Sequence, residues 1–248
     1  MGIEPSKSRL DILLVQRNLA SSRQRAQALI MAGRVTVDGI KFEKPGREVS
    51  VDSLIAVKEE MPYVSRGGLK LKAALDHFKV PVCGANVIDA GASTGGFTDC
   101  LLQHGATKVL AIDVGYGQFA WKLRSDSRVT LIERTNIRYF DKRLVPFSLD
   151  AAVADLSFIS LKLVLGKLKE FIPVGGWMIV LVKPQFEVGR QGIEKGGVVR
   201  SEAKIMTTVA SVKKFASSIS LIPSGVIESP VRGPKGNREF LLHLVRQV

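Results

Sequence analysis

Four charged residues spread along 248 positions have types that suit shared chemistry: Lys70, Asp155, Lys183 and Glu239. Each stands in a distinctive local sequence: Ser65-Arg66-Gly67-Gly68-Leu69-Lys70, Asp155-Leu156-Ser157-Phe158, Leu181-Val182-Lys183-Pro184 and Gly236-Asn237-Arg238-Glu239-Phe240. A neutral lysine steered by carboxylates can take the proton from a weak acid such as a ribose hydroxyl. Lys183 is the candidate base, because it ends the apolar run Trp177–Val182, where an unpaired charge is costly to bury. Lys70 would disfavour its charged form and the acids would favour it, so the net direction stays open. Asp155 would steer Lys183, and Glu239 would orient a lysine or the ribose. Taken singly, Lys70 also suits a surface helix, Glu239 an edge strand and Asp155 a helix cap.

Groups so distant in sequence meet only where strand ends converge, as they do in a doubly wound sheet. From Tyr63 onward the pattern alternates strand and helix. Strands are expected at 86–89, 108–113, 129–132, 151–155 and 177–183, and helices at 95–103, 118–123, 160–171 and 201–217. Segments 220–228 and 238–245 would close the sheet as an antiparallel pair. Apolar strands in such alternation imply a mostly parallel sheet covered on both faces, a Rossmann-like α/β class.

Asp89-Ala90-Gly91-Ala92-Ser93-Thr94-Gly95-Gly96-Phe97 leaves the first of these strands and opens a helix. Glycine there admits positive φ and close approach to a ligand. Ser93 occupies the place of the second glycine in a dinucleotide fingerprint. Asp113 ends the next strand, where an acid can accept from a ribose diol, and Asp89 can meet an amino group. NAD, S-adenosylmethionine and a plain tight turn all suit this segment; the absent glycine and the two acids favour S-adenosylmethionine.

Residues 1–60 read as a separate small α+β module, 61–64 as a linker and 65–248 as the main domain. In the module, 9–16 and 22–31 are expected as helices, capped by Ser21 or Ser22 and stopped by Gly33, with a strand and turn at 34–39. Residues 7–34 hold six basic side chains (Lys7, Arg9, Arg17, Arg23, Arg25, Arg34) against Asp11 alone. Such a face suits a phosphate backbone or plain solvation. The whole chain carries +13, and residues 63–248 hold 26 basic and 15 acidic side chains, so an acidic partner would engage both parts. Arg190, Lys195 and Arg200 lie in the glycine-rich stretch 184–200, expected either as a mobile loop that closes over an acidic partner, with these three on its phosphates, or as an ordinary long surface loop.

The N-terminal residues 8–39 resemble the S4-like RNA-binding domain, and Asp89–Phe97 resembles the first motif of FtsJ-type ribose 2'-O-methyltransferases. Lys70, Asp155, Lys183 and Glu239 follow the order of that family's K-D-K-E tetrad. With Val64–Lys70, Ala154–Phe158 and Leu181–Glu187 added, the chain resembles the TlyA family, often labelled hemolysin A. The resemblance implies a class I methyltransferase fold behind an S4-like domain. It implies S-adenosylmethionine as cofactor, bound by Asp89, Gly91, Ala92, Ser93, Thr94, Gly95, Gly96, Phe97, Asp113 and Asp155. It implies RNA contact through Arg9, Arg17, Arg23, Arg25, Arg34 and Arg66, and methylation of ribosomal RNA or ribosomal subunits at cytidine. Some relatives carry an Arg/Trp linker, which Glu59-Glu60-Met61-Pro62 does not resemble.

Other functions are weaker fits. Base N-methylation commonly uses Asn/Asp-Pro-Pro-aromatic where this chain has Asp155-Leu-Ser-Phe158. Cys83 and Cys100 lack the setting of a nucleophile, and His77, His104 and His243 have no metal-ligand spacing. A non-catalytic ribosome-assembly factor and a membrane-lytic protein remain as alternatives. The start of the chain has no apolar signal region and no apolar run spans a bilayer, so a cytoplasmic protein off the membrane is expected; no metal is expected, and the oligomeric state stays open with a monomer favoured.

Overall fold

The computed structural model describes residues 6–58, 61–189, 194 and 196–248. The chain divides after Glu60 into two compact units. In the first, β1 (Lys7–Arg9) leads into α1 (Leu10–Gln16), and α2 (Arg23–Met31) packs against α1. Leu10, Leu13, Leu14, Ala26, Leu29 and Ile30 recur at helical spacing and form the core. Ser22 caps α2 by accepting from the Arg25 amide, and Gly33 ends it at φ +64°. Four short strands follow: β2 (Val35–Val37), β3 (Ile40–Phe42), β4 (Glu48–Ser50) and β5 (Ile55–Val57). β2 pairs antiparallel with β3 and β5, and β4 with β1.

In the second unit the elements are α3 (Gly67–Phe78), β6 (Asn86–Ala90), α4 (Gly96–Gln103), β7 (Lys108–Ile112), α5 (Trp121–Arg124), β8 (Val129–Ile132), β9 (Ala151–Ala154), α6 (Leu165–Phe171), β10 (Trp177–Val182), α7 (Pro184–Glu187), α8 (Glu202–Ser218), β11 (Leu221–Glu228) and β12 (Phe240–Arg246). They build one seven-stranded sheet in the order β11-β12-β10-β9-β6-β7-β8. β12 runs antiparallel to β10 and β11, and the other pairs are parallel. β9 and β10 are buried along their whole length, and separate apolar clusters cover the two faces.

The chain reverses its direction of winding between β6 and β9, which lie side by side, so the carboxyl ends of these strands form the crevice where such sheets take ligands. Register then fixes the site. Ala154 lies opposite Ala90, placing Asp155 beside Gly91. Val182 lies opposite Phe240, so Lys183 leaves β10 where Glu239 enters β12.

Three local expectations are corrected. The helix expected at 118–123 is only the turn Trp121–Arg124. The preceding residues fold as a loop around acids: Gly115 N–H and Gln118 Nε2 donate to Asp113, and Gly117 N–H donates to Glu133. The helix expected at 160–171 is broken into a 3-10 turn, Leu161–Leu163, and α6. Residues 61–64 are part of the second unit rather than a linker. Tyr63 is buried, Pro62 O accepts from Gln103, and Val64 N–H donates to Asp99. Glu59, Glu60, Arg190 and Lys195 lie outside the described residues.

Candidate active site

Lys70 is carried on α3, whose first turn presses against the start of α4. A Cβ on Gly96 would stand 2.2 Å from Ser65 Oγ and 2.9 Å from Gly68 N, so only glycine permits that approach. Lys70 Nζ lies 2.6 Å from Glu239 Oε2 and 3.8 Å from Asp155 Oδ2. Lys183 Nζ lies 2.6 Å from Asp155 Oδ1 and 2.9 Å from Ser157 Oγ. The Asp155 contact is an ion pair without hydrogen-bond alignment, since Asp155 Oδ1 has no hydrogen-bond partner; the aligned bond of Lys183 goes to Ser157. The side chains thus form a chain, Glu239–Lys70–Asp155–Lys183, in which cations and anions alternate. Lys70, Lys183 and Glu239 are only 8%, 7% and 1% exposed, so the pairing offsets a large desolvation cost. Glu239 Oε1 is buried without a partner. It fits only because residue 233 is glycine, where a Cβ would stand 2.0 Å away.

Around this chain lie three neighbouring cavities. One of about 300 Å³ is lined by Ser65, Arg66, Gly67, the glycine turn and all four charged residues. A second, of about 590 Å³, shares Gly91, Ser93, Asp155 and Ser157 with the first and is walled by Ile112, Val114, Ile137 and Leu156. A third, of about 980 Å³, shares Ser157 and Lys183 with the first and is flanked by Phe158, Phe186 and Arg138. The rings of Phe158 and Phe186 lie 5.1 Å apart, and Phe158 is 90% exposed at φ +63°. An exposed aromatic in that backbone region is strained and marks a site rather than a core position.

The glycine turn has the backbone a nucleoside cofactor requires. Gly91 and Gly95 take φ +83° and +93°, and a Cβ on Gly91 would meet the Asp155 carbonyl oxygen at 2.6 Å. Asp113 lines the second cavity and accepts from Ser93 N–H at 2.8 Å and Gly115 N–H at 2.6 Å. Its carboxylate is therefore held still at the mouth of an apolar slot, with acceptor capacity left for a diol. Ala92, Ser93, Thr94, Gly96 and Phe97 line the first cavity. Gly95 is the left-handed residue that starts α4. These lining residues fit an adenosyl group.

Asp89 is where the sequence misleads. It is fully buried, lines neither cofactor-sized cavity, and accepts from Thr98 Oγ1 at 2.6 Å. Burial pushes its pKa up to about 7, against the lowering effect of the Thr98 bond, with Asp155 and Asp113 adding repulsion. Asp89 supports the turn from behind, with its Oδ1 buried and without a hydrogen-bond partner.

The arginines expected on RNA divide in the same way. Arg17 donates to the carbonyls of Val51 and Ser53, stapling α1 to the β4–β5 connection. Arg9 and Arg23 both pair with Asp11 at 3.0 Å, leaving their remaining surface exposed. Arg25 is exposed on α2 and Arg34 half-buried beside β2. Arg66 lines the first cavity, together with Lys70, Asp155, Lys183 and Glu239. Arg200 pairs with Glu194. Missed from sequence were Ser157, Phe158 and Ser65. The first two stand in the Asp155-Leu-Ser-Phe motif, where a hydroxyl two residues after the acid was the available signal. Cys100 is buried, and burial pushes its thiol up to about 12, out of reach of thiolate chemistry. No group of His, Cys, Asp and Glu among the described residues is arranged to hold a metal.

A switch-point crevice, a glycine turn into α4 and an antiparallel last strand together define a methyltransferase of the doubly wound class. The chain belongs to the FtsJ-like methyltransferase family, which it matches over residues 63–246, and residues 8–55 match the S4 domain. It is 45% identical to the 16S/23S rRNA (cytidine-2'-O)-methyltransferase TlyA of Mycobacterium tuberculosis, across 97% of this chain and 91% of that protein. It is 39% identical to hemolysin A of Brachyspira hyodysenteriae, across 96% and 99%. A solved structure from Streptococcus thermophilus, labelled a hemolysin, superposes with a TM-score of 0.75 at 41% identity, covering 98% of this chain and 90% of that one.

Proposed function

We propose that this protein is an S-adenosylmethionine-dependent 2'-O-methyltransferase acting on ribose, at cytidine, in ribosomal RNA. The observation that carries the reading is the alternating chain Glu239–Lys70–Asp155–Lys183, which closes the cavity beneath the glycine turn. Bound S-adenosylmethionine would supply an electrophilic methyl group on a sulfonium. Gly91, Ser93, Thr94 and Asp113 would hold it across the two smaller cavities. Lys183 would take the proton of the 2'-hydroxyl as that oxygen bonds to the methyl carbon and the carbon–sulfur bond breaks, leaving S-adenosylhomocysteine, and Asp155 and Ser157 would fix the direction of Nζ. Glu239 and Asp155 hold Lys70 in place. The aromatic third cavity suits the nucleoside, because rings stack on any base and leave its edges free. The S4 domain, Arg66 and the +13 charge favour ribosomal RNA or ribosomal subunits as partner, with the cytoplasm as the place of action.

The protein incubated with ribosomal subunits and labelled S-adenosylmethionine should yield 2'-O-methylcytidine, located by mapping the modified positions. RNA bound without product would favour the assembly-factor reading. No helix among the described residues is long and apolar enough to cross a membrane, and leakage of liposomes without methyl transfer would favour the lytic one.

A further inference from the structure

One partly buried acid beside the site takes no part in the chemistry above. Glu187 ends α7, four residues after Lys183. Its Oε2 accepts from Ser160 Oγ at 2.6 Å and its Oε1 from Leu161 N–H at 2.7 Å. Both donors are neutral groups, 26 and 27 residues earlier in the chain. They stand where the loop leaving β9 enters the 3-10 turn Leu161–Leu163. Burial pushes the Glu187 carboxyl pKa up, and these two bonds oppose that rise.

That loop, residues 155–160, carries Asp155, Ser157 and Phe158. Its near end is fixed by Asp155 N–H, which donates to Ala90 O at 3.1 Å. In the middle, Phe158 holds φ +63°, a conformation that a bulky side chain leaves unless its surroundings prevent it. The far end is fixed through Glu187. The other half of the reacting pair, Lys183, sits on the same short arm as Glu187, and Phe186 on that arm meets the Phe158 ring.

We infer that Glu187 is a positioning residue: it locks the Asp155–Ser160 loop onto the arm after β10, and so fixes Asp155 and Ser157 relative to Lys183. The inference rests on the methyl-transfer reading for its effect on rate, and on geometry alone for the lock itself. A displacement of about 1 Å at reacting groups is enough to cost on the order of a hundredfold in rate.

The test uses the full chain with Glu187→Ala and Glu187→Gln. Glutamine can accept from Leu161 N–H through its oxygen and donate to Ser160 through its nitrogen, so it keeps the lock without the charge. In Glu187→Ala, kcat for methyl transfer to ribosomal RNA should fall at least about tenfold. The Kd for S-adenosylhomocysteine, read by calorimetry, should rise by a clearly smaller factor than kcat falls, because Gly91, Ser93 and Asp113 in the cofactor cavity lie off this loop. Hydrogen exchange at the Leu161 amide should quicken in the free protein. Glu187→Gln should restore kcat and slow exchange. Wild-type kcat in Glu187→Ala overturns the inference, as does a loss of cofactor affinity parallel to that of kcat, which would mark a general structural role. If the wild-type protein transfers no methyl group, the functional reading fails instead. Leu161 exchange then decides the lock, and an unchanged rate in Glu187→Ala overturns it.

Discussion

Each unit of this molecule gathers cations around an acid, but the two clusters are built in opposite ways. In the S4 unit the acid is inside: the Asp11 side chain is 0% exposed, while its partners Arg9 and Arg23 are 41% and 55% exposed. In the methyltransferase unit the cations are inside as well, with the Lys70 and Lys183 side chains 11% and 8% exposed. The first arrangement spends little desolvation and gives a stable joint between β1, α1 and α2. The second buries two ammonium groups, which folding alone does not require. The proposed catalytic role of the second cluster would account for its buried cations, while the first serves the fold.

The sharpest way to break this comparison is to remove the buried cation nearest the aromatic cavity. Lys183→Ala should lower methyl transfer by roughly 10²- to 10⁴-fold, with affinity for S-adenosylmethionine nearly unchanged. Single-turnover methylation and calorimetry on the same preparation decide it. Activity near wild type would reduce Lys183 to a structural ion pair, and the contrast between the clusters would vanish.

Glu239→Ala comes next in size, because it leaves Lys70 buried with only Asp155, 3.8 Å away. Removing one partner from such a pair costs about 3–5 kcal/mol, visible as a lower denaturant midpoint. The paired change Lys70→Met with Glu239→Leu should recover most of that stability while activity stays lost. Recovery of both would show that the pair serves packing alone.

The sequence was informative here in proportion to how local the cause was. Lys183 stood out because six apolar residues precede it, and Asp155 because it follows the buried run Ala151–Ala154. The glycine turn was legible because positive φ leaves a mark in composition. Arg17 was not legible: its guanidinium serves the carbonyls of Val51 and Ser53, more than thirty residues away, and nothing near residue 17 announces them. The helix expected at 118–123 failed for a similar reason, since Asp113 and Glu133 draw the Gly115, Gly117 and Gln118 donors into a loop. Glu187 sat in plain view within Leu181–Glu187, yet its partners Ser160 and Leu161 are set by the register of β9 against β10.

Asp89 supplies a third case, an acid buried with no cation. Its pKa near 7 exceeds the unfolded value of about 4, so between those limits the folded state holds a proton that the unfolded state has lost. Its contribution to stability therefore falls as pH rises from about 4 to about 7, and levels off above. The full span is worth at most about 4 kcal/mol. Asp89→Asn should remove that slope: measured by urea unfolding, the stability of wild type minus variant should decline from pH 5 to pH 8. A difference independent of pH would mean the carboxyl titrates as it does in the unfolded chain.

Asp11 should behave with the opposite sign and the smallest effect. The Arg9 bond, opposed by burial and helped by Gln27 and Arg23, holds its carboxyl well below the usual range. Its stabilisation is present above the unfolded value near 4 and drains away as pH falls below it. Asp11→Ala should cost the S4 unit about 2 kcal/mol at pH 7, the scale of hydrogen bonds to a charged group. Removing Asp11 strands no buried charge, because Arg9 and Arg23 reach water. That is why it should cost less than Glu239→Ala, although both acids are equally hidden. If unfolding of the two variants at pH 7 shows equal losses, exposure of the surviving cation is not what separates the clusters.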